Sequence, residues 1–425
     1  MSTTSPTVGE EPATDPRARA ATAGSDGDWG GWNPLDPDQR ENLYEHLRQL
    51  RESQPVNLSP LGLWRLTRYH DVVELLREAP AGVRTADGVS FLPSRSTPEQ
   101  PRDLFMLFQD PPTHTRLRKL VSRAFTPRAI ERTRDHIQAI VDGCLDTVAA
   151  RGEIDVIGDL ALPVPATVIC EMLGVPVADR DRFTAWTADA THGISPNPFP
   201  DPAVLARADA AAEQLGSYFE TLIAERRANL SDDLLSGFIR VEEEGDRLTT
   251  LEMLSQSVGL LIAGFETTIG LIGNGVRALI QHPDELAKLR ARPELIGSAV
   301  EECLRWDGPI VATLRILHAD ARFGDTVIPK DAIVLGVLGA ANHDPEVFPD
   351  PERFDIERSP NEHLAFGGGV HFCLGAHLAR LEAQTAIGTL VRRFSDLELV
   401  SDEVEWGPSL FRVPGKLPVR FSASP

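Results

Sequence analysis

Cys373 stands in Phe366-Gly-Gly-Gly-Val-His-Phe-Cys373-Leu-Gly-Ala376, where a glycine-rich turn delivers one thiol to the start of a helical stretch. Helix N-termini hold unpaired N–H groups and partial positive charge. Both favour a thiolate, so the position predicts a Cys373 pKa below that of a free cysteine. Three successive glycines admit backbone shapes closed to other residues, and they let something flat and bulky lie against the main chain. A phosphate loop would place Lys-Ser or Lys-Thr after the glycines, and none follows. Two chemistries stay open for such a thiol. It is a cofactor or metal ligand, or it is a nucleophile with His371 or His377 as its base. The other cysteines, Cys144, Cys170 and Cys303, form no Cys-x-x-Cys pair and read as small core residues in a reducing compartment.

A second group of polar residues interrupts the most apolar stretch, Ser257–Ile280, as Ala263-Gly264-Phe265-Glu266-Thr267-Thr268. A charge at this depth argues against a membrane span and for a helix through the core of a soluble protein. A buried, unpaired carboxylate is expensive, so Glu266 needs a partner or a proton-handling role. Gly264 weakens the helix locally. The Thr267 hydroxyl can bond a carbonyl one turn back, bending the helix and opening a groove. Elsewhere Glu302 and Arg305 share a helix face at i and i+3. The same spacing at Glu45/Arg48, Glu74/Arg77 and Glu131/Arg134 reads as solvated surface. His114 and Arg118 share a face at i and i+4.

The elements that must position these residues are mostly helical. Apolar periodicity predicts helices over Arg40–Glu52, Asp71–Glu78, Thr115–Phe125, Arg128–Ala150, Val204–Asn229, Thr250–Gln281, Asp284–Arg292, Pro293–Arg305 and from just after Cys373 to Phe394. Strands are predicted at Gly62–Arg68, Leu314–Ile316, Thr326–Ile328, Ile333–Leu338 and Pro418–Phe421. Residues 1–28 are rich in Ser, Thr, Pro, Ala, Gly and acids, with no apolar signal segment, and read as a disordered tail. No repeat or linker divides residues 29–425, so one large domain, mainly α with a minor β part, is expected. The 425 residues carry 42 Lys plus Arg against 63 Asp plus Glu, a net charge of −21. That balance is a poor fit to nucleic acid or an anionic membrane, and it is compatible with a small-molecule enzyme.

The Phe-Gly-x-Gly-x-His-x-Cys-x-Gly spacing around Cys373 resembles the haem-binding signature of the cytochrome P450 family. The resemblance runs over roughly residues 30–425 and includes Trp64–Glu78 and the Pro418–Phe421 ending, typical of soluble bacterial members. It implies the cytochrome P450 fold and haem b (iron protoporphyrin IX). Cys373 is then the axial thiolate ligand, with Phe366, His371 and Gly375 of the same signature against the cofactor. It assigns Glu302, Arg305 and the Arg353 of Asp350-Pro-Glu-Arg-Phe354 to a buried ionic triad that scaffolds the Cys loop. It places His114, Arg118, Arg315 and His371 on the haem propionates. Ala263 and Gly264 leave room for dioxygen, and Glu266 and Thr267 become the proton-delivering pair of oxygen activation.

The function this implies is a cytoplasmic, monomeric haem-thiolate monooxygenase that oxidises an apolar small molecule, such as a secondary metabolite, with dioxygen. No flavin domain or dinucleotide fingerprint is present, so electrons come from a separate ferredoxin and its NAD(P)H-dependent reductase. Arg116, Arg118, Lys119, Arg123, His377 and Arg380 would form the basic dock. The pocket is expected from parts of 85–105, 192–202, 260–268, 310–314 and 410–411. A peroxide-driven peroxygenase or coupling oxidase is the alternative on the same scaffold, disfavoured by the Glu266-Thr267 pair. A haem-thiolate gas sensor is the non-enzymatic alternative, disfavoured by the lack of an output domain.

Overall fold

The structure, a computed structural model, describes residues 30–34, 36–89, 104–193, 202–243, 248–406 and 411–423. The tail expected at 1–28 lies outside them. So do the parts of the expected pocket at 90–103 and 194–201, and Leu410.

The helix Thr250–Gln281 sets the frame. Thr249 caps it reciprocally: its hydroxyl accepts the Glu252 N–H at 3.1 Å, and the Glu252 carboxylate accepts the Thr249 N–H at 2.8 Å. It is long and apolar enough to cross a membrane, yet most of it is buried inside the protein. Around it pack Pro163–Met172, Arg180–Thr191, Pro202–Ala228, Ile296–Asp307 and Ala376–Arg393. An apolar stripe on one face suits a surface helix; a helix wrapped on every side has to be apolar all round. The main core cluster joins Leu261, Ile272 and Val276 of this helix to Leu304, Ile387 and Leu390 of its neighbours.

The strands are β1 (Val56–Leu58), β2 (Trp64–Leu66), β3 (Ala81–Gly82), β4 (Glu153–Asp155), β5 (Thr313–Leu317), β6 (Ala321–Phe323), β7 (Thr326–Ile328), β8 (Ile333–Gly336), β9 (Phe394–Leu399) and β10 (Pro418–Ala423). They form a five-stranded sheet of order β1-β2-β8-β5-β3, a three-stranded sheet β4-β10-β9 and the hairpin β6-β7. In the larger sheet only β2 and β8 run parallel. The chain is thus mainly α with a minor β part, in one domain.

Some boundaries differ from the sequence reading. Arg128–Ala150 is two helices, Pro127–Glu131 and Arg134–Val148, and the Thr133 hydroxyl between them bonds the Ile130 carbonyl at 2.7 Å. The strand read over Ile333–Leu338 stops at Gly336, and Leu338–Ala341 is helical. Among the helices that went unread are Pro163–Met172, Arg180–Thr191 and Leu234–Glu243. The first buries every residue from Val164 to Cys170, so it shows no polar face to give a period.

Candidate functional site: a cysteine loop facing the long helix

The loop that carries Cys373 is shaped by close contact with the helix Tyr69–Arg77. Gly369 has φ +63°, and a Cβ there would sit 2.1 Å from the Leu76 carbonyl oxygen, so only glycine fits. Gly367, also at positive φ, has open space on its side-chain face. The Cys373 N–H donates to the Phe366 carbonyl at 3.0 Å, which closes the loop. Gly375 is the N-cap of the Ala376–Arg393 helix. Cys373 is a free, half-buried thiol.

The expected fall in the Cys373 pKa is not what the chain alone produces. Burial dominates and pushes the thiol up, while the Gly375 N–H, Arg118 and Arg380 pull it down. The helix terminus is too small a charge to offset desolvation; a coordinated metal ion is large enough to deprotonate a thiol outright.

Beside the loop lies a set of cations and imidazoles. Arg118 donates to the Phe372 carbonyl at 2.6 Å. The rings of His114 and His371 lie 4.3 Å apart. Burial, with His371 and Arg118 nearby, drops His114 to about 4, so it is neutral. Burial also lowers His371. Arg315 is buried and, among the described residues, bonds the Leu314 carbonyl (2.7 Å) and the Thr313 hydroxyl (3.3 Å). No described carboxylate comes within ion-pair distance of it. Asp110, 4.0 Å from His371, is already held by the N–H groups of Val83 and Arg84 at 2.9 and 3.0 Å.

Glu302 and Arg305 form a two-pronged ion pair at 2.8 Å for each prong, and both side chains are 0% exposed. The third partner is not Arg353. The Arg353 side chain is 61% exposed and only approaches Asp355 at 3.8 Å. Arg358 fills the place, with Nε 3.2 Å from Glu302 Oε1 and a side chain 9% exposed. Arg353 turns outward and offers its carbonyl, which accepts from Arg305 at 3.1 Å and from Arg358 at 2.7 Å. The Asp355 N–H and the Asn361 amide complete the Glu302 carboxylate at 2.9 and 3.1 Å. By contrast Glu45–Arg48 and Glu131–Arg134 are exposed pairs, as read.

In the long helix, Ala263, Gly264, Glu266 and Thr267 are only partly buried, in the middle of a helix whose flanks are buried. The Thr267 hydroxyl donates to the Ala263 carbonyl at 2.8 Å, the bond its position predicts. The helix stays continuous through this point. The Glu266 charge is felt by Arg40, whose guanidinium also bonds the Phe411 carbonyl at 3.0 Å. Side-chain amides tie the helix to its surroundings. Gln256 bonds Leu104 and Met106, while Asn274 bonds the carbonyls of Asp307 and Arg412. At Gly259 a Cβ would meet the Phe105 ring at 2.3 Å, so glycine is what lets Phe105 lie on the helix.

The cytochrome P450 family model matches residues 38–406. The chain belongs to the cytochrome P450 family. It is 42% identical over 395 residues to cytochrome P450 107B1 of Saccharopolyspora erythraea, covering 90% of this chain and 95% of that one. It is 48% identical over 323 residues to the cytochrome P450 monooxygenase PikC of Streptomyces venezuelae, covering 74% and 76%. A solved structure of P450BioI, in complex with an acyl carrier protein ligated to hexadec-9Z-enoic acid, superposes with a TM-score of 0.84 at 38% identity, over 91% of this chain and 99% of that one.

The chain is therefore a cytochrome P450 monooxygenase, and its cofactor is haem b. The residues around the Cys373 loop fit that group. Among the described residues, the buried Arg315 guanidinium has no carboxylate within ion-pair distance, His114 Nδ1 has no hydrogen-bond partner, and His371 Nε2 has only Asp110, at 4.0 Å; a cofactor with two acid groups would satisfy them. The open face at Gly367 leaves the loop bare beside a half-buried thiol. Sequence reasoning missed three contributors to this P450: Arg358, Arg40 and Glu301. Arg358 lies outside the motif that drew attention to Arg353. Arg40 reaches Phe411 across 371 residues, which no local pattern reports. Glu301 adjoins Glu302, whose motif overshadowed it.

Proposed function

We propose that Cys373 would supply the thiolate ligand of the haem iron, and that the chain oxidises an apolar small molecule of the secondary-metabolite kind. The observation that carries this is a single free thiol on a glycine-built loop beside buried, unmatched cationic and imidazole groups. Bound there, haem supplies reductive activation of dioxygen, with thiolate electron density favouring O–O cleavage. Phe366 and Gly375 flank it in the loop. Arg118, Arg315, His371 and His114 hold the propionates, the arginines through charge-assisted bonds and the neutral His114 through its free ring nitrogen. Ala263 and Gly264, small residues of the long helix, would leave room for dioxygen. The Thr267 hydroxyl would hold a proton donor, and Glu266, whose charge Arg40 feels, would pass protons to it.

The buried scaffold is Glu302, Arg305 and Arg358. Electrons come from a separate acidic ferredoxin and its reductase, and the enzyme works in the cytoplasm as a monomer. The ferredoxin dock is the basic segment Thr113–Arg134, where Lys119, Arg123, Arg128 and Arg132 are exposed, on a chain of net charge −21. Exposed Phe372 and Val370 supply its apolar centre. Arg380, first read into this dock, is taken by Glu301, and Arg116 by Glu252. P450BioI is in complex with an acyl carrier protein ligated to hexadec-9Z-enoic acid, and that likeness supports a long apolar substrate.

The test is the spectrum of the reduced protein with carbon monoxide. The wild type should show the red-shifted Soret band of thiolate ligation, and Cys373→Ala should lose it while Cys144→Ala and Cys303→Ala keep it. A Cys373→Ala protein that retains the band would overturn the assignment.

A further inference from the structure

The Ile296–Asp307 helix carries two adjacent glutamates that grip different things. Successive helix residues point about 100° apart. Glu302 therefore faces Arg305 and Arg358, while Glu301 faces the Cys loop. Glu301 takes Arg380 in a two-pronged bond, 2.7 Å at each prong. It also bonds His363 Nε2 at 3.1 Å. The Ala365 N–H reaches His363 Nδ1 at 3.3 Å, so Nδ1 accepts and Nε2–H is the donor to Glu301. His363 stands before the loop and Arg380 stands after it. One carboxylate thus ties both ends of the segment that contains Cys373.

The tie reaches the thiol by two routes. The Arg380 guanidinium lies 4.5 Å over the Phe366 ring, and the Phe366 carbonyl receives the Cys373 N–H at 3.0 Å. Arg380 is also one of the two charges that favour the thiolate at Cys373. Burial pushes the Glu301 carboxyl up, but Arg380 and His363 outweigh it and hold it at about 2, so it is charged across the working range. Glu301 and Arg380 are each 27% exposed, so their charges are only partly screened by water.

We propose that Glu301 is a positioning residue for Cys373, which by holding Arg380 and His363 sets the charge and ring packing that the thiolate feels. The inference rests on Cys373 being the haem ligand. Outer groups of this kind tune a metal through the charge and hydrogen bonding around its ligand. Their effects have opposite signs here. With Glu301 neutral, the Arg380 charge at the sulfur is uncompensated, sulfur donates less, and the reduced iron is favoured. With Arg380 neutral, the reverse holds. A purely structural tie would instead push both variants the same way, toward loss of the cofactor.

The experiment is redox titration of the purified, haem-loaded protein by its absorption spectrum, for wild type, Glu301→Gln, Arg380→Met and the double variant. Glu301→Gln should favour the reduced form by about threefold or more. At 59 mV per tenfold for one electron that is an upward shift of roughly 30 mV. Arg380→Met should shift it downward, and the double variant should return toward wild type. Glu301→Asp, which keeps the charge, should lie closer to wild type than Glu301→Gln. Shifts of one sign for both single variants, or none in either, overturn the proposal. If Glu301→Gln holds no haem, Arg380→Met decides alone: a downward shift supports the proposal, and any other result overturns it. The carbon monoxide band of the wild type separates the two readings, since its absence removes the Cys373 assignment, whereas its presence with unshifted variants removes only Glu301.

Discussion

On the Cys373 side the chain is held by charge and by fixed backbone, and on the Thr267 side by apolar packing and amides. The loop side has Glu302 with two arginines, Glu301 with Arg380 and His363, and a glycine that nothing can replace against Leu76. The long-helix side has buried leucines and isoleucines, with Gln256 and Asn274 as polar ties. Buried ion pairs demand one geometry, because any other leaves a charge unmatched. Apolar packing tolerates changes of shape if volume is kept. The side proposed to hold the haem iron is over-determined, and the side proposed to meet the substrate is built from interactions that permit variation. That division suits a family whose chemistry is shared and whose substrates differ.

The largest test of this difference is Arg305→Ala. It leaves Glu302 buried with Arg358 as its one remaining charged partner among the described residues, at a cost of about 3–5 kcal/mol. The protein should express as apoprotein or aggregate, measured by the haem-to-protein absorbance ratio and by thermal melting. A stable, haem-loaded variant with normal turnover would mean that the loop does not depend on charge.

The same contrast explains what the sequence made legible. The Cys loop, the long helix and Glu302/Arg305 were readable because each is local: a spacing of ten residues, an apolar run, an i,i+3 pair. The Arg353 error shows where locality ends. A turn presents Arg353 to solvent and brings the carbonyl inward, and the guanidinium that completes the triad arrives five residues later. Glu301 and Arg380 are 79 residues apart, so no local spacing pairs them, and Arg380 read as part of a surface dock. The Pro163–Met172 helix failed for the opposite reason, having no exposed face to reveal its period.

Next in size is Thr267→Ala, which probes the permissive side. Its hydroxyl gives one bond to Ala263, so stability should fall by only about 1 kcal/mol. Haem content and the carbon monoxide band should be unchanged. The loss should be in coupling: NAD(P)H is consumed and hydrogen peroxide leaves in place of oxidised product. Proton-transfer groups contribute on the order of 100- to 10,000-fold, so product per NAD(P)H should drop steeply. Glu266→Gln should slow turnover with less loss of coupling, because the hydroxyl remains. Wild-type coupling in Thr267→Ala would place proton delivery elsewhere. A wild type that works only with added peroxide would favour the peroxygenase reading.

The smallest expected effect is also the sharpest, because it separates two arginines five residues apart. Arg353 has an exposed side chain whose nearest acid, Asp355, is 3.8 Å away. Surface pairs of that kind contribute roughly 0–1 kcal/mol. Its structural part is a carbonyl, which alanine also has. Arg353→Ala should therefore keep haem and melt within about 1 kcal/mol of wild type. Arg358→Ala removes the charge beside Glu302 together with bonds to the carbonyls of Pro349, Asp350 and Arg353 at 2.8, 3.1 and 2.7 Å. Its Glu302 partner is 0% exposed, so the cost should approach the about 3 kcal/mol of a broken buried pair. Melting curves and haem retention of the two variants, measured side by side, decide the matter. If Arg353→Ala loses haem while Arg358→Ala keeps it, the triad is the one the motif suggested, and the outward turn at Arg353 is wrong.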